Sequence, residues 1–217
     1  MRGFFVTGTG TAVGKTVVAA VLARSLAAGG ERVAVFKPAV TGLDEPGEPD
    51  HALLRRAAGS AQDDDEIAPY RYRPPQSPHL AAADVGEEID AERLRAGARD
   101  AVADADVLVC EGVGGLLVPL STAYLVRDFA ADLGLPLIVA ASPGLGTINH
   151  TLLTVEAARQ TGLTIAAVVL TPWPAEPTAI ETSNRETIGA LAGMPVHTLP
   201  LLDLNALAGW PSLNLRA

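Results

Sequence analysis

Gly8-Thr9-Gly10-Thr11-Ala12-Val13-Gly14-Lys15-Thr16 follows directly on the apolar run Gly3-Phe4-Phe5-Val6-Thr7 and leads into Val17-Val18-Ala19-Ala20. An apolar run without alternation reads as a strand covered on both faces, and the Val- and Ala-rich stretch after the glycines reads as a helix. Glycines let the backbone fold around an anion with its N–H groups inward, and the helix N-terminus adds a partial positive charge. In that setting Lys15 reaches the β- and γ-phosphates of a nucleotide, and the Thr16 hydroxyl binds Mg²⁺. Ala12, Val13, Gly14, Lys15, Thr16 and Val17 are the expected nucleotide contacts. The usual spacing of such a loop wants glycine at position 9, where this chain has Thr9, with Gly8 one residue early and Gly10 one late. Gly-Lys-Thr at a strand-to-helix junction still specifies a P-loop.

Outward from the loop, β-rich apolar runs recur at 3–7, 32–37, 107–111, 137–141, 165–170 and 196–199. Helical patterns lie between them at 16–28, 50–58, 90–103, 147–161 and 178–191. Strands buried on both faces and joined by helical crossovers predict an α/β fold of the P-loop NTPase class. The expected form is one domain over 1–217, a doubly wound, mostly parallel sheet with helices on both faces. Its ligand crevice should lie at the carboxyl ends of the strands. Residues 61–78 break the rhythm with Asp63-Asp64-Asp65-Glu66 and four prolines, and the acids read as part of a solvated excursion loop.

The chain has 217 residues, 48% hydrophobic and 19% charged, with a net charge of -9. That length suits a domain burying about 70% of the surface its unfolded chain exposes. The acidic balance argues against a general nucleic-acid or anionic-membrane surface, so anionic ligands must be captured by a local site. No export signal or membrane span is expected: Pro136, Pro143 and glycines interrupt the uncharged stretch 133–155. Cys110, the only cysteine, sits in an apolar run and suits a cytoplasmic protein.

Of 16 basic residues only Lys15 and Lys37 are lysines. Lysine presents a compact point charge that the planar fork of arginine does not reproduce, which marks both positions as functional. Lys37 ends the second strand, on the same sheet edge as the loop. Glu111 ends an apolar strand before Gly112-Val113-Gly114-Gly115, where glycines permit close approach of a ligand. Mg²⁺ takes oxygen ligands, so Glu111 is a candidate ligand beside Thr16. A strand-end carboxylate is expected to contribute little packing. Asp50 opens the helix after strand two and reads equally as a cap.

These segments together resemble the dethiobiotin synthetase family. The resemblance rests on the loop 8–16, Lys37-Pro38-Ala39-Val40-Thr41-Gly42, Asp50, Ser77-Pro78-His79, Glu111-Gly112-Val113-Gly114-Gly115 and Leu145-Gly146-Thr147-Ile148-Asn149-His150-Thr151. It runs from Met1 to about residue 170, and the loop's extended glycine spacing is the family's own. The resemblance implies an ATP-dependent ligase that carboxylates 7,8-diaminononanoate with CO₂ to a carbamate. The carbamate is phosphorylated and closed to the cyclic urea of dethiobiotin, a step of biotin biosynthesis. It further implies Thr16, Asp50 and Glu111 on Mg²⁺, Lys15 on the phosphates, Lys37 on the carbamate, and Thr11 and Thr41 on the diamine or carbamate. Gly112, Val113 and Gly114 would border the nucleotide. Gly146, Thr147, Ile148 and Asn149 would bind the substrate's distant carboxylate from the partner subunit of a homodimer. His79 and His150 read as structural.

The chain departs from the family at Gly10 and Ala12, where many members carry aspartate and glutamate. It also has Leu170-Thr171-Pro172-Trp173-Pro174 where members carry an asparagine that reads adenine. Thr171, Pro200 and Leu201 remain candidates to flank the base, with ATP expected and other nucleoside triphosphates open. Two other readings share the fold: a partition- or cell-division-type ATPase switch, and another P-loop ligase or kinase acting on a small acid. The switch proteins place a further lysine early in the loop, where this chain has Thr9, Gly10 and Thr11.

Overall fold

The computed structural model describes residues 1–215. Its elements run β1 (Gly3–Gly8), α1 (Lys15–Ala28), β2 (Val33–Phe36), α2 (Asp50–Ala58), α3 (Asp64–Ile67), α4 (Pro78–Asp84) and α5 (Ala91–Asp100). They continue β3 (Val107–Glu111), β4 (Pro119–Ser121), β5 (Tyr124–Leu125), α6 (Val126–Leu133), β6 (Leu137–Ala141) and α7 (Thr147–Arg159). The last are β7 (Ile165–Trp173), α8 (Ala179–Ala192), β8 (Val196–Pro200) and a 3₁₀ turn at Leu207–Gly209.

Six strands form one sheet in the order β2-β3-β1-β6-β7-β8, every adjacent pair parallel. Successive residues of a strand face opposite ways. Phe4 and Val6 of β1 thus join the core under α1 and α2, whereas Phe5 joins the one under α5 and α6. There the Phe5 ring meets Phe129 edge-on, with centroids 6.0 Å apart. A third cluster, built on Val139, Val168 and Leu170, is closed by Ile188 of α8. Both faces are covered, which is why the strands read as unbroken apolar runs.

The structure corrects several expected boundaries. The second strand shrinks to Val33–Phe36, and the helix expected over 90–103 stops at Asp100. The strand expected over 165–170 continues to Trp173, opposite Pro200 of β8. α4, α6 and the β4–β5 hairpin were not anticipated.

The segment 61–78 keeps its acids in water, as expected, but it is not a loop thrown out into solvent. Asp63 caps α3 by accepting from the N–H groups of Asp65 and Glu66, while Glu66 accepts from the Asp63 N–H. The acids face water, but Ile67, Tyr70 and Tyr72 are buried. The segment covers the open edge of β2, a row of unpaired backbone groups that a protein must satisfy. Gln62 does this with one amide: it accepts from Val35 N at 2.8 Å and donates to Val35 O at 3.1 Å. Beyond β2, Lys37 N donates to Ile67 O and Val40 N to Tyr70 O, fixing the chain that leads from Lys37 to Thr41. Among the described residues no helix is long and apolar enough to cross a membrane.

Candidate functional site

The central strands end together at one sheet edge. β1 closes at Gly8, and Thr9 N then donates to Ala140 O of β6 at 3.0 Å, so the loop leaves the sheet between β1 and β6. The loop turns through Ala12 at φ 57° and Gly14 at φ 85° before α1 begins at Lys15. Gly14 precedes α1 without a capping side chain, and no acid lies in the first helical turn. The first N–H groups of a helix have no partner within it, so those of α1 are available to an anion. Lys15, 7% exposed, arches back and donates to Gly10 O at 2.7 Å. Burial holds its pKa below the usual lysine value, against the attraction of Glu111.

Register sets the rest of the site. Val6 of β1 lies opposite Glu111 of β3, and Phe36 of β2 lies opposite Cys110. Lys37, the next residue, therefore emerges level with Glu111. Its Nζ lies 2.6 Å from Glu111 Oε1 and 2.9 Å from Asp50 Oδ2, and it donates to Gly112 O at 3.4 Å. Thr16 Oγ1 donates to the same Glu111 Oε1 at 2.9 Å. Asp50 is no helix cap: Pro49 occupies that position, and the carboxylate turns to Lys37.

Glu111 is fully buried, contrary to the expectation of a strand-end group with little share in packing. Strand β3 is central, so its end is roofed by the loop and by Lys37. Burial disfavours the Lys37 ammonium, but the charges of Glu111 and Asp50 outweigh it and raise the pKa. Burial likewise pushes the Glu111 carboxyl up, with Lys37 pulling it back. Asp50 is held below the usual carboxylate range: burial acts upward, and Lys37 overcomes it.

A crevice of about 760 Å³ opens above these groups. Thr11, Ala12, Gly14, Lys15, Thr16, Val17, Lys37, Thr41, Asp50, Glu111, Val113 and Gly114 line it, as do Ser77 and Pro78. Val13 packs into the core beneath the loop, and Gly112 enters through its carbonyl. Thr171 is buried against the loop: a Cβ on Gly14 would lie 2.5 Å from its Cγ2. Pro200 and Leu201 do not line the crevice, and Leu201 is 83% exposed.

Gly146, Thr147, Ile148 and Asn149 also lie outside the crevice of their own chain. Gly146 and Asn149 are exposed, Thr147 is buried, and Ile148 packs toward α8. Thr147 does not cap α7; its hydroxyl lies 3.5 Å from that of Thr151. Asn184 of α8 holds the turn before this helix, donating to Pro143 O at 2.9 Å and Gly144 O at 3.1 Å. Sequence reasoning missed the crevice's lip, where Glu45 and Glu48 lie in the turn between Gly42 and Asp50. Arg56 grips Glu48 through two bonds and also donates to Leu204 O. That tie joins distant segments and leaves no local pattern.

The donor set suits a hard divalent cation. Thr16, Asp50 and Glu111 offer oxygen, and Glu111 Oε2 is buried with no hydrogen-bond partner. Among the described residues no group of three His, Cys, Asp or Glu side chains could hold a metal alone. Mg²⁺ takes few protein carboxylates and completes its shell with waters and phosphate oxygens, which fits a site beside a P-loop.

A family model described as AAA domain matches residues 2–202. The ATP-dependent dethiobiotin synthetase of Anaeromyxobacter dehalogenans (strain 2CP-C) is 47% identical over 171 residues, 78% of this chain and 76% of the relative. That of Rhodococcus erythropolis (strain PR4 / NBRC 100887) is 43% identical over 198 residues, covering 89% and 85%. That of Bacillus subtilis (strain 168) is 36% identical over 197 residues, covering 90% and 85%. Among solved structures, a nucleotide-binding protein from Archaeoglobus fulgidus in complex with ADP matches with a TM-score of 0.52 at 13% identity. The match covers 95% of this chain and 85% of that one, and bears on the fold alone.

Proposed function

The chain belongs to the dethiobiotin synthetase family, and from that premise we propose that it is an ATP-dependent ligase making dethiobiotin from 7,8-diaminononanoate and CO₂. The observation that carries this reading is Lys37: a second buried lysine, beyond that of the phosphate loop, faces the same crevice beside Glu111.

One amine of the substrate takes up CO₂ to give a carbamate, losing a proton. A carbamate oxygen then attacks the γ-phosphorus, and ADP leaves. The second amine attacks the carbamoyl carbon of the resulting anhydride; its C–O bond breaks, phosphate departs with that oxygen, and the proton lost by the amine goes to the phosphate. The first transfer brings an anion to a polyanion, so its barrier falls when fixed cations screen both. The N–H groups at the start of α1 and the Lys15 ammonium cradle the phosphates. Thr16, Asp50 and Glu111 are the residues that would hold Mg²⁺, which when bound neutralises charge on the triphosphate oxygens. Lys37 orients the carbamate, and Thr11 and Thr41 hydrogen-bond to it or to the diamine.

The substrate's distant carboxylate is taken by the N-terminus of α7, where unpaired N–H groups and the helix dipole favour an anion. That terminus is exposed and lies outside its own chain's crevice, so the reading has it supplied by a second copy in a homodimer. Leu145 at 94%, Leu153 at 60% and Ile180 at 57% exposure give the α7–α8 side apolar surface for such a contact. The buried, unpaired thiol of Cys110 suits the reducing cytoplasm, where this reading puts the enzyme.

The test is direct: incubate the protein with 7,8-diaminononanoate, bicarbonate, ATP and Mg²⁺, and look for dethiobiotin by mass. Formation that requires every component supports the reading. Steady ATP hydrolysis without dethiobiotin would reject it.

A further inference from the structure

We propose that Lys37 is a placeholder for the metal, its ammonium neutralising Asp50 and Glu111 until a divalent cation displaces it toward the reacting carbamate. The inference rests on the metal role proposed above for Thr16, Asp50 and Glu111. The geometry is that of a cation already seated in the donor set. Lys37 Nζ bridges Glu111 Oε1 and Asp50 Oδ2, and Thr16 Oγ1 donates to the same Glu111 oxygen. Every side chain assigned to the metal is thus in contact with Lys37 or with the oxygen that Lys37 holds.

The arrangement answers a problem of the empty site. Two carboxylates, one of them fully buried, would stand uncompensated beneath the P-loop between turnovers. An isolated charge in such surroundings is strongly disfavoured, and a paired one far less so. Lys37 supplies the pairing without leaving its strand end.

A divalent cation bound to the same oxygens repels the ammonium, and each lowers the other's hold on the carboxylates. Lys37 is 3% exposed and its stem is fixed by the backbone bond to Ile67, so its head group swings rather than withdraws. The open side is the crevice, whose lining includes Thr41 and Ser77. Loading of the metal nucleotide and delivery of Lys37 to the substrate are therefore one event. A carbamate arriving before the metal finds Lys37 already engaged.

The test uses Mn²⁺ alone on the nucleotide-free full chain, with free Mn²⁺ read by electron paramagnetic resonance. Lys37→Met keeps the bulk and removes the charge, and should bind Mn²⁺ at least tenfold more tightly than the unaltered chain. Adding Glu111→Gln to Lys37→Met should remove that gain. Equal or weaker Mn²⁺ binding by Lys37→Met overturns the placeholder role. Because Lys37→Met leaves the buried Glu111 carboxylate without its cation, a second measurement uses the unaltered chain. With only two lysines, ¹⁵N-lysine labelling gives two side-chain signals. Mg²⁺ alone should shift the Lys37 signal along the Glu111-dependent binding curve. An unmoved Lys37 signal during binding that Glu111→Gln abolishes refutes the placeholder and leaves the metal assignment standing. Mn²⁺ binding unaffected by Glu111→Gln refutes the metal assignment and the placeholder with it.

Discussion

Thr171 at the end of the sheet occupies the space that any side chain on Gly14 would need, its Cγ2 lying 2.5 Å from where a Cβ would stand. Gly14 also has φ 85°, a left-handed conformation that costs an ordinary residue about 1–2 kcal/mol. Gly14→Ala should therefore lower the melting temperature and weaken nucleoside triphosphate binding more than tenfold, measured by calorimetry. Thr171→Ser, which removes Cγ2, should restore part of both losses in the double variant. An unaltered affinity in Gly14→Ala would mean that the loop is not held in this conformation when it binds.

Lys37→Arg should be nearly as damaging as Lys37→Ala, within about tenfold of it in kcat/KM, although the charge is kept. The planar fork does not present the compact point charge that bridges Asp50 and Glu111. Both variants should lose about a hundredfold or more, the scale of about 2.7 kcal/mol in the barrier. Lys37→Ala should also unfold more readily, since stripping the partner from a buried carboxylate costs about 3–5 kcal/mol. Near-normal turnover by Lys37→Arg would contradict the role given to this lysine.

The proposed sharing of each site between two copies makes a prediction about mixtures. Lys37→Ala lacks the cation in its own crevice, whereas Gly146→Pro or Asn149→Asp spoils the α7 terminus offered to the other copy. Mixing the two inactive proteins should recover about a quarter of the activity per site, as random pairing leaves some crevices with both parts intact. Subunit exchange, followed by mass, must accompany the assay. Exchange without recovery would indicate that each site is built from one chain.

Nucleobase selection should be loose. A purine edge is discriminated when a side-chain amide pairs with it, because the wrong base leaves buried polar groups unpaired. Asn184 has an amide near this end of the sheet, but it is committed to Pro143 O and Gly144 O. Pro172 and Pro174 bring no backbone N–H. ATP, CTP, GTP and UTP should thus support comparable kcat/KM, and a preference for ATP beyond about a hundredfold, the size of a lost specific contact, would contradict this.

The parts of the molecule legible in the sequence are those whose physics is local. The loop 8–16 announces itself through glycine and lysine spacing, and the sheet through apolar runs buried on both faces. Lys37 stood out because the chain otherwise uses arginine. What stayed hidden depends on partners far along the chain. Glu111 is legible as a candidate ligand, but its complete burial is not, because nothing near it in the sequence reveals that Lys37 and the loop roof it over. Asp63 to Glu66 looked solvated, and they are, yet they start a turn that carries Ile67 onto the edge of β2. The capping of α6 is by contrast local, with the Leu125 N–H donating to Asp128 three residues on and Gly134 turning left-handed at its end.

The measurement that bears most directly on the chemistry follows one oxygen atom. If a carbamate oxygen attacks the γ-phosphorus and later leaves with it, oxygen from CO₂ must appear in inorganic phosphate. With ¹⁸O-labelled CO₂ added at the start of a short reaction, the account predicts dethiobiotin and an equal amount of phosphate carrying one ¹⁸O atom. Unlabelled phosphate, released whether or not the diamine is present, would contradict it.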